Sequence, residues 1–186
     1  MRTRTPASVS AALLLTALTG CSSLSGGTVT TTANTPAPPA ARASATPPAK
    51  PATVGDSVSV TGFQGVKLTV QLVKVFPDAQ GADQFTSPDS GKRFYAVQLR
   101  ITDTASSAWS DSPDNCVKLK DASGQQFESD LSDVTAGQSF GSVNLAPGDS
   151  VLGVVVFQVP TGDKPVKMQF TPDSGMADSA AQWNLP

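Results

Sequence analysis

From Asp56 onward, apolar and polar residues alternate one for one, in short stretches cut by proline- and glycine-bearing turns. A period of two puts successive side chains on opposite faces of a strand, and no stretch keeps the 3.6-residue apolar spacing of an amphipathic helix. A chain patterned in this way is confined to sheets. "DSVSVTGF" sets Val58 and Val60 against Ser57, Ser59 and Thr61. "VKLTVQLVKVF" puts Val66, Leu68, Val70 and Leu72 on one face; the phase then slips to Val73 and Val75. A one-residue slip turns a strand over unless a bulge absorbs it, so a bulge is expected near Leu72. "RFYAVQLRIT" points Tyr95, Val97, Leu99 and Ile101 inward, with Gln98, Arg100 and Thr102 outward. "CVKLK", "QQFE", "VKMQF" and "AAQWNL" read as further strands. "SVLGVVVFQV" is apolar on both faces, as a well-covered strand must be.

The joints are turn chemistry. Pro88-Asp89-Ser90-Gly91, Pro147-Gly148-Asp149 and Pro172-Asp173-Ser174-Gly175 pre-set φ with proline and release the chain with glycine. The irregular "VTAGQSF", residues 134–140, is placed as cover for an edge. About eight strands with frequent turns, within one domain at 54–186, predict an all-β, two-sheet sandwich. The run "GKRFYAVQLRITDT", then "SDSPDN", "LKDASGQQF", "LAPGDSVLGVVVFQVP" and "FTPDSGMADSAAQWNL", resembles the telokin-like, immunoglobulin-like domain family of secreted and lipid-anchored bacterial proteins. That family is frequent in actinobacteria and includes a secreted mycobacterial antigen. The resemblance implies an immunoglobulin-like sandwich. It brings no reaction, ligand or catalytic residue with it.

The first 53 residues carry a different message. Arg2 and Arg4 precede an apolar run from Ala7 to Leu18, which is too short to span a bilayer. Leu18-Thr19-Gly20-Cys21 closes the run. This pattern resembles the lipobox of bacterial lipoproteins, which implies a signal peptide over 1–20. It further implies cleavage between Gly20 and Cys21 and a lipid on the Cys21 sulfur, holding the protein on the outer face of the cell membrane. A thiolate is the side chain nucleophilic enough for that transfer. Residues 21–53 are rich in Thr, Ala and Pro and nearly devoid of large apolar side chains. Such a stretch cannot offset its ordering entropy by burial and is expected to be a disordered tether.

Charge and residue types narrow the function. The sequence holds 13 Lys and Arg; without Arg2, Arg4, Arg42 and Lys50, 9 remain to face all 15 acids from Val54 onward. Nucleic acid is a poor partner for such a surface. There is no histidine, which rules out a Ser-His-Asp or Cys-His arrangement. The domain reads as a non-enzyme without a cofactor. Cys116 reads as a small buried hydrophobe, with a reactive thiol or an intermolecular disulfide as its alternatives.

Two oxygen-rich stretches are weak calcium candidates: Asp111, Asp114 and Asn115 in one, Glu128, Asp130 and Asp133 in the other. Trp109, between polar residues and beside Asp111 and Asp114, reads as an interaction anchor or as a plug over one end of the sandwich. The expected function is a membrane-anchored module that binds another envelope protein. The alternatives are a small-ligand or calcium sensor and a structural spacer.

Overall fold

A computed structural model describes residues 51–186. The signal peptide, Cys21 and nearly all of the tether lie outside the described residues. Among the described residues there are eleven strands: β1 (Ser57–Thr61), β2 (Lys67–Ala79), β3 (Lys92–Asp103), β4 (Trp109–Asp111), β5 (Val117–Asp121), β6 (Gln126–Phe127), β7 (Ser129–Asp130), β8 (Val143–Leu145), β9 (Ser150–Pro160), β10 (Pro165–Phe170) and β11 (Ala181–Asn184). One helical turn, α1 (Pro113–Cys116), precedes β5. The large sheet has the order β1-β2-β3-β9-β7 and the small sheet β11-β10-β5-β6; β4 and β8 pair apart from both. This is the immunoglobulin-like, two-sheet sandwich expected from the sequence. The eight expected strands are present. The three additional ones, β4, β7 and β8, have only two or three residues each, too few to show a period.

The core lies between the sheets. Leu68, Val70, Leu72, Val97, Leu99, Ile101, Val155 and Phe157 of the large sheet meet Val117, Leu119, Met168, Phe170 and Trp183 of the small one. The alternation fixes this arrangement, because each of these residues is two positions from the next inward one. The register of β2 against β3 shifts between Leu72 and Lys74, so a bulge lies where the pattern slips. The structure corrects one detail. Val73 does not join Val75 in the apolar set: it is the extra residue of the bulge and only half-buried, while Val75 packs on the core. The one-for-one phase therefore resumes at Lys74, opposite Gln98.

Both flanks of the sandwich are closed by a segment that changes sheets. Ala52 bridges Trp183 in the small sheet, and its carbonyl accepts the Asn184 N–H at 2.8 Å. Five residues later the chain is in the large sheet as β1. Ordered pairing thus begins two residues before the boundary at 54. On the other flank β6 belongs to the small sheet and β7 to the large one, with Glu128 as the corner. Short edge strands that cross in this way leave little open edge for stray pairing.

A second, smaller core sits on the outer face of the large sheet. Phe94, Ala96, Val154 and Val156 point outward and are roofed by Val134, with Phe76, Ala79 and Ala136 around them. Residues 134–140 therefore cover both an edge and a face: Ser139 bridges Val154, and Phe140 turns into the main core over Gly153. This explains why β9 is apolar on both sides. Pro147 and Gly148 form the turn into β9 with Gly148 at φ 88°, a conformation that glycine adopts without steric cost. Asp173 and Ser174 adopt the same left-handed region without being glycine, at φ 56° and 53°. The segment Pro172–Gly175 is a tight turn, as its residues predict.

Candidate interaction sites

At one end of the sandwich stand the residues that the sequence singled out. Trp109 pairs with Leu145 across β4 and β8 and is only 2% exposed. It plugs the end of the core and is not a surface anchor. Its neighbours Ala108 and Ser110 are exposed, so a single alternation turns the indole inward. Asp114 is buried as well. Burial pushes its carboxyl above the usual range, and backbone N–H groups of Asp114 and Gly141 offset this only in part.

Asp111 is the hub of this end. Its Oδ1 accepts from the Ser112 N–H at 2.8 Å and the Ser174 hydroxyl at 2.6 Å. Its Oδ2 accepts from the Ser174 N–H at 2.9 Å and the Cys116 thiol at 3.2 Å. Burial works against the charge, but the hydrogen bonds from Ser174, Cys116 and Ser112 outweigh it and hold the carboxyl below its ordinary range. The strained turn at Asp173 and Ser174 is thus held down by Asp111. Asp173 in turn accepts the Phe63 N–H at 2.6 Å, which fixes the β1–β2 turn. Cys116 is 1% exposed. Burial first, then the Asp111 charge and hydrogen bond, push its thiol far up, so it stays neutral. It is the buried small residue that the pattern suggested.

The calcium candidates do not come together. Asp111 spends both oxygens on protein donors, and Asn115 is exposed. Glu128 is held by Lys118 and Gln126, with the Lys118 hydrogen bond the main cause of its lowered pKa. Asp130 accepts from the Ser132 N–H and the Gln158 amide, both at 2.8 Å. Burial opposes its charge, and those bonds more than compensate. Asp133 accepts the Ser139 hydroxyl at 2.8 Å. Among the described residues no three His, Cys, Asp or Glu side chains gather as metal ligands.

A different surface is open. A groove of about 610 Å³ is lined by Asp89, Lys92, Glu128, Asp130, Gln158 and Asp163, among others. Its walls brace each other: Lys92 pairs with Asp89 at 2.9 Å, and the Gln158 side chain links the Asp89 N–H to Asp130. The loop before β3, residues 125–130 and the end of β9 line it; beyond the lining, the loop before β3 and the segment after β7 each carry one large apolar side chain. Phe85 is 84% exposed and Leu131 86%. The two segments are stitched together by Ala82 N–H to Asp133 O and Thr135 N–H to Gln80 O, both 2.9 Å. No local pattern marks Phe85 and Leu131 as exposed: both sit among polar residues much as Trp109 does. The loop length between β2 and β3 was the available signal, since no strand pattern runs through residues 80–91.

The fold defines a two-sheet β-sandwich domain of the immunoglobulin-like kind. The chain belongs to the family described as a domain of unknown function (DUF4352), whose model matches residues 52–181. No curated protein matches the sequence. Among solved structures, MPT63, a secreted protein of Mycobacterium tuberculosis, is similar at 15% identity and a TM-score of 0.53, over 73% of this chain and 98% of that one. The yjhA protein of Bacillus subtilis is similar at 14% identity and a TM-score of 0.50, over 73% of this chain and 99% of that one. These likenesses bear out the expected sandwich and the resemblance to a secreted mycobacterial protein. At such identities they speak to the fold alone.

Proposed function

We propose that this protein is exported, cut after Gly20, anchored by lipid on Cys21, and used outside the cytoplasmic membrane as a binding module for another envelope protein. The Leu-Thr-Gly-Cys motif supports the anchor. The pair Phe85 and Leu131 supports the binding role. Two large apolar side chains, each more than four-fifths exposed, stand on stitched loops beside a braced polar groove. Exposed large apolar and aromatic side chains beside polar surface are the anchors that protein interfaces bury. The module carries no reaction in this reading, and its buried thiol is structural.

The test is photo-cross-linking in cells from a probe placed at position 85 or 131 of the full chain. One membrane or envelope protein should dominate the capture, and Phe85→Ser with Leu131→Ser should abolish it. Cys21→Ser should release the chain from the membrane. Capture unchanged in the double variant would move the interface elsewhere, and full membrane retention of Cys21→Ser would remove the anchor.

A further inference from the structure

The outer face of the large sheet is roofed only over half its length. Over the other half, β1, β2, β3 and the start of β9 present a face that nothing among the described residues covers. The register aligns Ser59 with Thr69, Thr69 with Thr102, and Thr102 with Ser150. The four hydroxyls therefore form one row straight across four strands, roughly 14 Å long at the usual strand spacing. Within it the Ser59 and Thr69 oxygens are 3.4 Å apart and those of Thr102 and Ser150 2.8 Å. The adjacent row is Ser57, Gln71, Arg100 and Leu152.

The charge of this half-face is the reverse of the domain's. The stretches 57–61, 67–74, 98–102 and 150–152 contain no acid, in a domain with an acidic excess. Lys67, Lys74 and Arg100 all lie on outward positions and take part in no ion pair among the described residues. Elsewhere on the molecule Lys92, Arg93 and Lys118 are paired, while Lys120, Lys164 and Lys167 likewise take part in no ion pair among the described residues. Lys67 and Lys74 are on β2, and Arg100 faces Gln71 between them. By register Lys67 lies four residues from the level of Arg100 along the strand direction, about 13 Å, and Lys74 two residues, about 7 Å, with Arg100 one strand to the side. Leu152, 44% exposed, is the one large apolar side chain on the bare rows.

The geometry points to this half-face as a binding surface for a linear acidic polysaccharide. The exposed cations meet the anions along the polymer, and the hydroxyl row meets the sugar hydroxyls. A single leucine gives a bilayer too little apolar area to take up, so a polar polymer fits this face better than a lipid surface does. The surface does not use Phe85 or Leu131, so either proposal can fail without the other.

The test measures binding of the full chain to hyaluronate, to neutral dextran and to phosphatidylglycerol vesicles. Hyaluronate should bind at low salt and dextran should not, with log affinity falling as log salt rises, as screening of the cation–anion contacts requires. Lys67→Gln with Lys74→Gln and Arg100→Gln should weaken hyaluronate at least tenfold. Thr69→Val with Thr102→Val should weaken it severalfold without changing that salt dependence. Lys164→Gln with Lys167→Gln, which removes two cations outside this face, should leave binding unchanged. No hyaluronate binding, an equal loss in the Lys164 and Lys167 variant, or vesicle binding without hyaluronate binding would each overturn the proposal.

Discussion

Along β3, beyond the exposed Lys92 at its start, the outward side chains are Phe94 and Ala96, both buried, then Gln98, Arg100 and Thr102, which are half-buried or exposed. The backbone does not change between them: β3 pairs with β9 without interruption from Lys92 to Thr102. β9 makes the same transition, from Val156 and Val154 to Leu152 and Ser150. Only the surroundings differ. Residues 134–140 lie over the first half, and nothing among the described residues lies over the second. Strand chemistry here follows cover and not sheet geometry. A strand can be apolar on both faces for part of its length and amphipathic for the rest.

Substitutions on the two halves should behave differently. Phe94→Ala removes a buried ring from the roofed half and should cost about 3–5 kcal/mol of stability in urea unfolding. Thr102→Ala, on the bare half of the same strand, should stay within about 0.5 kcal/mol. Equal effects would erase the distinction. Gly153→Ala tests how tightly the covering segment is seated. A Cβ there would fall 2.6 Å from a Phe140 ring carbon, so the change should cost about 1–3 kcal/mol, and Phe140→Leu should recover part of it. Full additivity of the two would mean that the ring does not sit on the glycine.

The smallest effect concerns pH. The Cys116 thiol has a raised pKa in the folded state, so the folded chain keeps a proton that the unfolded chain loses above about pH 8.5. Its contribution is complete below that pH and is lost as pH rises, by at most about 1.4 kcal/mol per unit. Tyr95, raised to about 12 by burial against the opposing charge of Arg93, adds the same sign above about pH 10. Cys116→Ala should flatten the decline between pH 8.5 and 10. An unchanged decline would mean that the thiol is open to solvent.

The sandwich was legible in the sequence because alternation over five or more residues leaves one solution, and the slip after Leu72 located the bulge. The site was much less legible. Trp109 and Phe85 both stand among polar residues, yet one is buried and the other nearly free. What separates them is β8, which arrives more than thirty residues after Trp109 to pair with β4. No local pattern carries that information. The hydroxyl row is hidden for a similar reason. Ser59, Thr69, Thr102 and Ser150 are unremarkable one by one and form a row only through register.

The most direct test of the roofed-and-bare account is amide hydrogen exchange resolved by residue on the full chain. The Ala82 and Thr135 N–H groups donate across the two stitched segments, and the Val154 N–H donates to the Gln138 carbonyl. All three should be protected to a level approaching that of the β3–β9 ladder. Exchange of these amides at unprotected rates, with β3 and β9 still protected, would contradict the account. The cover would then be open in solution, and both halves of the face would be bare.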